Sequence, residues 1–321
     1  MPRQLTREER DRIAQLLERG FDQAEIAAAI DRDPSTISRE RERNSTGGEY
    51  LAAQAQARAE QRRRQPRPRK MDDPQFNAAV RRGLAQGWSP EQIAGRLRQE
   101  HQGDPAWRIC AQTIYTWIAG DPQREHWESF LRRRGKQPSR RRKPSENPAR
   151  TRIAGRPACV EERSRLGDFE GDTVLGPPGT GGLVTLVDRR SRFTLLAKIP
   201  SKDARRVHGK VKQRLRELPD QKRQSLTLDH GTEFARCGRL EKHLGVAIYF
   251  AEPGCPYQRG TNENTNGLLR QYYPKGTDFR DISHHAVRLV ENLINNRPRA
   301  CLRFHTPAEV FNGLAHPATC E

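Results

Sequence analysis

The charge of this chain is confined to two places, and that confinement decides how it can fold. The 321 residues carry a net charge of +19. Residues 58–70 hold seven Lys/Arg against one Glu, net +6, and residues 131–156 hold eleven against one, net +10. Neither stretch can enter a hydrophobic core, because unpaired charges are too costly to desolvate. They therefore divide the chain into an N-terminal segment 1–57, a basic linker 58–70, a second segment 71–130, a basic linker 131–157 and a C-terminal segment 158–321. Basic arms between folded segments, with the rest nearly balanced, suit tracking of a phosphate backbone. Arg140, Arg141 and Arg142 are the arm residues expected on DNA.

Residues 5–44 read as three helices. Ile13, Leu16 and Leu17 recur at helical spacing in the first. Asp22 can cap the second, and Asp33 the third, where Pro34 fits the first turn because no N–H is needed there. Two short helices and a tight turn form a helix-turn-helix pattern. Its second helix would offer Ser35, Thr36, Ser38, Arg39 and Arg43 to bases and phosphates in the major groove. A related unit recurs around WSPEQIAGRL and CAQTIYTWIA, with Ser89 as cap, Ile114, Trp117 and Ile118 inward, and Gln112, Thr113 and Thr116 outward. It is less basic, so it serves either DNA contact or dimerisation.

From residue 166 the texture turns to β. FEGDTVL, GLVTLVDRR and FTLLAKI predict an antiparallel meander, an amphipathic helix follows, and SLTLDH and VAIYFA predict two more strands with helices between and after them. The order βββαβαβα fits a mixed five-stranded sheet with flanking helices, an α/β nuclease type of core. Six scattered cysteines without a C-x-x-C pair argue against a zinc ribbon or a disulfide scaffold. With no apolar run of membrane-spanning length and no signal-peptide core at the N-terminus, a cytoplasmic, nucleoid-associated protein is expected.

Three acids stand out in this core. Asp172 lies in the first strand, two residues after Glu170 and on the same face. Asp229 follows the apolar run SLTL. Glu263, 34 positions later, sits among Asn262, Asn264 and Asn266 at the start of a helix. Such acids can converge on one or two divalent ions that activate water or a 3′-hydroxyl for attack on a phosphodiester. Hard oxygen donors with little His or Cys nearby select Mg²⁺, with Mn²⁺ as a substitute, and no small-molecule cofactor. Arg270, two turns beyond Glu263, and Lys275 are candidates for a phosphate. An H-x-x-R spacing at His285 and Arg288 suggests a tyrosine recombinase, but the last tyrosine, Tyr273, lies upstream of it.

The blocks FEGDTVLG, LTLDHGTEFA, YFAEPGCPYQRGTNENTNGLLRQYYPKGTDF and NNRPRACLRFHTPAEVF, with the helix-turn-helix opening, resemble the DDE transposases of the insertion sequence 30 family over nearly the whole chain. The resemblance implies an RNase H-like core, a catalytic and metal-binding triad of Asp172, Asp229 and Glu263, Mg²⁺ dependence, binding of terminal inverted repeats and of target DNA, and a homo-oligomer in the DNA complex. The residue after the second Asp departs from the family pattern: His230 stands where Asn is usual. The alternative is a non-catalytic DNA-binding regulator derived from a transposase, although all three acids are present.

Overall fold

The computed structural model describes residues 4–64, 69–131, 155–252 and 260–315. The chain forms two compact units, Met1–Arg69 and Lys70–Glu321. Arg140, Arg141 and Arg142, and most of the second basic stretch, lie outside the described residues.

The first unit contains α1 (Arg7–Glu18), α2 (Gln23–Ala29), α3 (Pro34–Asn44) and α4 (Ala52–Arg64). Its helix starts follow the sequence. Asp22 accepts from the backbone N–H groups of Ala24 and Glu25, and Asp33 from that of Ser35. Leu5, Ile13, Leu16, Ile26, Ile37 and Ala55 build the core. A buried Arg10–Glu40 ion pair (2.7 Å) joins α1 to α3, and Arg10 also donates to Gln56 of α4 (2.9 Å). The basic stretch from residue 58 is therefore not linker throughout. Arg58 donates to the Asn44 carbonyl and Arg62 to the Asn44 side chain (2.9 and 2.8 Å), so the cations of α4 close the C-terminal end of α3.

The second unit begins with α5 (Pro74–Ala85), α6 (Pro90–Glu100), α7 (Ala111–Gly120) and α8 (Arg124–Ser129), packed around Phe76, Val80, Leu84, Ile93, Ile114 and Trp127. Trp117 is only partly buried; the Arg81 guanidinium lies 5.6 Å from its ring centroid. After α9 (Ala158–Glu161) come β1 (Asp168–Leu175), β2 (Gly182–Asp188), β3 (Thr194–Ile199), α10 (Ala204–Arg216), β4 (Ser225–Leu228), α11 (Leu240–Leu244), β5 (Ala247–Phe250), α12 (Gly260–Leu269), α13 (His284–Asn295) and α14 (Pro307–Phe311). The sheet order is β3-β2-β1-β4-β5. The first three strands are antiparallel; β4 and β5 run parallel to β1.

Alternation along the strands fills both faces. Phe169, Val184, Leu186, Leu226 and Leu228 meet Val207, Val211 and Leu215 of α10. Val174, Leu183 and Leu196 meet Leu269, Val287 and Ile294 of α12 and α13. The edge strand β3 is sealed by side chains. Asn295 exchanges two 2.8 Å hydrogen bonds with the backbone of Thr194, and Glu291 accepts from the Leu196 N–H. An edge capped in this way cannot recruit a further strand.

The helical segment 70–131 belongs to the same compact unit as the sheet and is docked on its C-terminal part. Arg96 of α6 donates to both carboxylate oxygens of Glu309 on α14 (2.8 and 2.6 Å). The buried Arg297 bridges Gln92 of α6 and Gln271, each at 2.9 Å, and Gln271 donates to the Phe130 carbonyl. Gly95 is required here: a Cβ would lie 2.3 Å from the Phe304 ring.

Candidate active site and DNA-reading helices

The carboxylates are placed by strand register. β1 and β4 pair in parallel with Asp168 opposite Ser225, Phe169 opposite Leu226 and Glu170 opposite Thr227. Carried two residues further, the same register would set Asp229 level with Asp172. Paired strands lie about 4.8 Å apart, so this register directs Asp229, just beyond the end of β4, toward the level of Asp172.

Glu170 and Asp172 do share a face, but their environments differ. Glu170 is fully buried, ion-paired with Arg189 (2.9 Å), and accepts the backbone N–H of Asn262 (2.9 Å). It anchors the start of α12 and is committed to structure. Asp172 is half-buried. One oxygen accepts the N–H of Thr173 and the other the side-chain amide of Asn266, both at 2.8 Å. Asn266 lies three residues after Glu263, hence on the same side of α12. That contact fixes the helix so that its first turn, with the exposed Glu263, stands one turn from Asp172. Among the described residues, no three His, Cys, Asp or Glu side chains are already gathered into a ligand set.

Gly231 follows Asp229 for a reason of contact. Its φ is −58°, open to any residue, but a Cβ would come within 2.8 Å of an Asp229 oxygen and 2.7 Å of a Glu233 oxygen. The Asp229 carboxylate folds back onto the Gly231 N–H at 2.9 Å. Glu233 accepts the Thr173 hydroxyl at 3.2 Å, tying the loop after β4 to the residue beside Asp172. His230 turns to stack on Phe250 of β5, ring centroids 5.5 Å apart. The side chains of Asn262, Asn266, Thr173 and Glu233 were not legible as site elements, although the Asn cluster around Glu263 was a signal. Arg270 donates to the carbonyls of Tyr273 and Pro274 beyond the end of α12 (3.5 and 3.3 Å), and Lys275 is exposed.

In the first unit, α3 buries Ile37, Glu40 and Asn44 and exposes Ser35, Ser38, Arg39 and Arg43, with Thr36 half-buried. Hydrogen bonds from Ser35 and the nearby Arg39 charge hold the Asp33 carboxyl below its ordinary value, so the N-cap stays ionised. In α7, Ile114 and Ile118 are buried while Gln112, Thr113 and Thr116 are exposed; the Thr113 hydroxyl lies 3.1 Å from Cys110 Sγ.

A helix-turn-helix followed, in a separate unit, by a mixed sheet with paired carboxylates at a strand end defines a DNA-acting protein with its own reading domain. Similar proteins are of that class. A family model described as a helix-turn-helix domain matches residues 2–44. A transposase for insertion sequence element IS30A from Escherichia coli (strain K12) is 37% identical over 96% of this chain and 83% of its own length. Transposases for IS4351 from Bacteroides fragilis and IS1086 from Cupriavidus metallidurans are 35% and 36% identical, each covering 98% of this chain and 97% and 96% of their own. The catalytic core domain of BIV integrase aligns with 46% of this chain and 95% of its own at TM-score 0.35 and 20% identity, a likeness too low to carry an argument. The chain belongs to the insertion sequence 30 family of transposases. It is a transposase, and no described helix is long and apolar enough to cross a membrane.

Proposed function

We propose that this transposase is a DDE enzyme with an RNase H-like core, in which Asp172, Asp229 and Glu263 hold Mg²⁺, or Mn²⁺ in its place, to cleave DNA and transfer the freed strand. The observation that carries the reading is the parallel pairing of β1 with β4, whose register directs Asp172 and Asp229 to one level, together with the hydrogen bond from α12 to Asp172 one turn from Glu263. The donors fit a hard divalent cation: all are carboxylates, and the buried side-chain oxygen of Asn266 beside them has no partner among the described residues. When bound, the metal supplies Lewis-acid activation of the attacking oxygen and stabilisation of the leaving 3′-oxygen. The protein's share is positioning. Thr173 and Asn266 orient the Asp172 carboxylate, Gly231 orients that of Asp229, and the Glu170–Arg189 pair anchors the helix bearing Glu263. The α3 face with Arg39 and Arg43 reads the terminal inverted repeats, and α7 offers a second contact or a dimer surface. Arg140, Arg141 and Arg142 add sequence-independent affinity, Lys275 a phosphate contact, and the working form on DNA is a homo-oligomer in the cytoplasm.

Asp172→Asn, Asp229→Asn and Glu263→Gln each remove one ligand charge and keep shape. Cleavage and joining of labelled ends should fall by orders of magnitude while end binding persists. Near-normal cleavage by any one of them would remove that residue from the triad. A wild-type chain that binds ends but never nicks them with Mg²⁺ or Mn²⁺ would identify a regulator.

A further inference from the structure

A second charged surface, outside the stretches that dominate the sequence, lies on the catalytic core. The loop that follows Asp229 leads through Glu233 directly to Arg236 and Arg239, and then to Lys242 and His243 of α11, all four exposed. α11 packs beside α10, where His208 and Lys212 face it; the His208 and His243 rings are 6.4 Å apart. Burial, together with the charges of Lys212, His243, Arg239 and Arg236, holds His208 below the ordinary imidazole value. Each of these charges is therefore near enough to act on His208.

Among the described residues, Lys212, Arg236, Arg239 and Lys242 make no ion pair and no side-chain hydrogen bond. The acids of the same elements are occupied: Asp203 caps α10, and Glu241 accepts the Ile248 N–H at 2.9 Å. Like charges gathered without counter-charges destabilise a fold by repulsion unless an anion covers them. This patch is built on α10, α11 and the turn that leads into α11, and Arg236 comes seven residues after Asp229, a candidate catalytic carboxylate.

We propose that Arg236, Arg239, Lys242 and Lys212 form the surface on which target DNA lies, held by its phosphates. The α3 helix already presents a face suited to sequence reading, and the patch offers extended cations, which position a duplex without reading it. Sequence-independent grip on the segment that follows the Asp229 loop is what a target strand needs.

The inference rests on the DDE reading, and the full-length chain tests both. The triple variant Arg236→Gln/Arg239→Gln/Lys242→Gln is compared with wild type and with a charge-keeping variant, Arg236→Lys/Arg239→Lys. Labelled ends and a separate target duplex are supplied with Mg²⁺. The ratio of joining to end cleavage should fall about tenfold in the Gln variant, recover at higher target concentration and persist in the Lys variant. The slope of log affinity against log salt on random duplex should flatten by about one unit for each phosphate that is no longer held. An unchanged ratio with an unchanged slope overturns the proposal and leaves a solvated face. Cleavage and joining falling together overturns it in favour of the transposon ends. A wild type that neither cleaves nor joins refutes the DDE reading, and the salt slope still decides whether the patch holds DNA.

Discussion

Glu309→Gln tests what fastens the helical segment 70–131 to the sheet. Arg96 grips both oxygens of Glu309 (2.8 and 2.6 Å), and one of them also accepts the Thr306 N–H (2.9 Å). Burial raises the Glu309 pKa, but these hydrogen bonds and the Arg96 charge outweigh it and take the carboxyl from 4.5 down to about 2. At roughly 1.36 kcal/mol per pH unit that corresponds to about 3 kcal/mol. The Glu309 side chain is 27% exposed, and solvent screening brings the expected figure to about 2 kcal/mol. A carboxyl depressed in the folded state contributes fully above its unfolded pKa of 4.5 and loses that contribution as pH falls through about 2. The variant should therefore melt about 4–8 °C lower at pH 7, and the gap should close between pH 5 and pH 2. All four tryptophans, Trp88, Trp107, Trp117 and Trp127, lie in the docked segment, so tryptophan fluorescence follows its melting directly. Equal fluorescence midpoints at pH 7, or a gap that does not narrow on acidification, would refute the clamp.

Asn266→Ala removes the donor that orients Asp172 and should raise the Mn²⁺ concentration needed for half-maximal cleavage; Mn²⁺-induced thermal stabilisation should weaken in step, and an unchanged Mn²⁺ titration would leave Asn266 a packing residue only. Arg39→Ala should narrow the ratio of end binding to random binding, whereas neutralising Arg140, Arg141 and Arg142 together should weaken both and flatten the salt slope by up to about three units; binding titrations at several salt concentrations decide, and the reverse pattern would reassign the two elements.

Local chemistry made most of the elements readable. Asp22, Asp33 and Ser89 start helices because a short polar side chain satisfies backbone N–H groups within its own turn. The strands containing Asp172 and the SLTL run could be found because alternation and apolar runs report burial without reference to partners. The outward face of α3 followed from its period. Strand pairing is a different matter: the sequence sets Asp172 and Asp229 57 positions apart, and only the parallel pairing of β1 with β4 lays the segments that lead to them side by side.

Tertiary structure also shows how differently Glu170 and Asp172 are surrounded, where the sequence favours Asp172. Arg189 and the Asn262 N–H consume Glu170, leaving Asp172 at the half-buried position. It turned the first half of the basic stretch 58–70 into a cap for α3, sent Arg270 to its own helix end, and stacked His230 on Phe250. It joined segment 70–131 to the sheet through Arg96, Gly95 and Arg297, whose partners Glu309, Phe304 and Gln92 lie about two hundred residues away in sequence. Caps and periodicities are encoded within a few residues of one another and can be read from a string. Which donor meets which acceptor across the fold depends on the positions of elements remote in sequence, and exists only once the chain has packed.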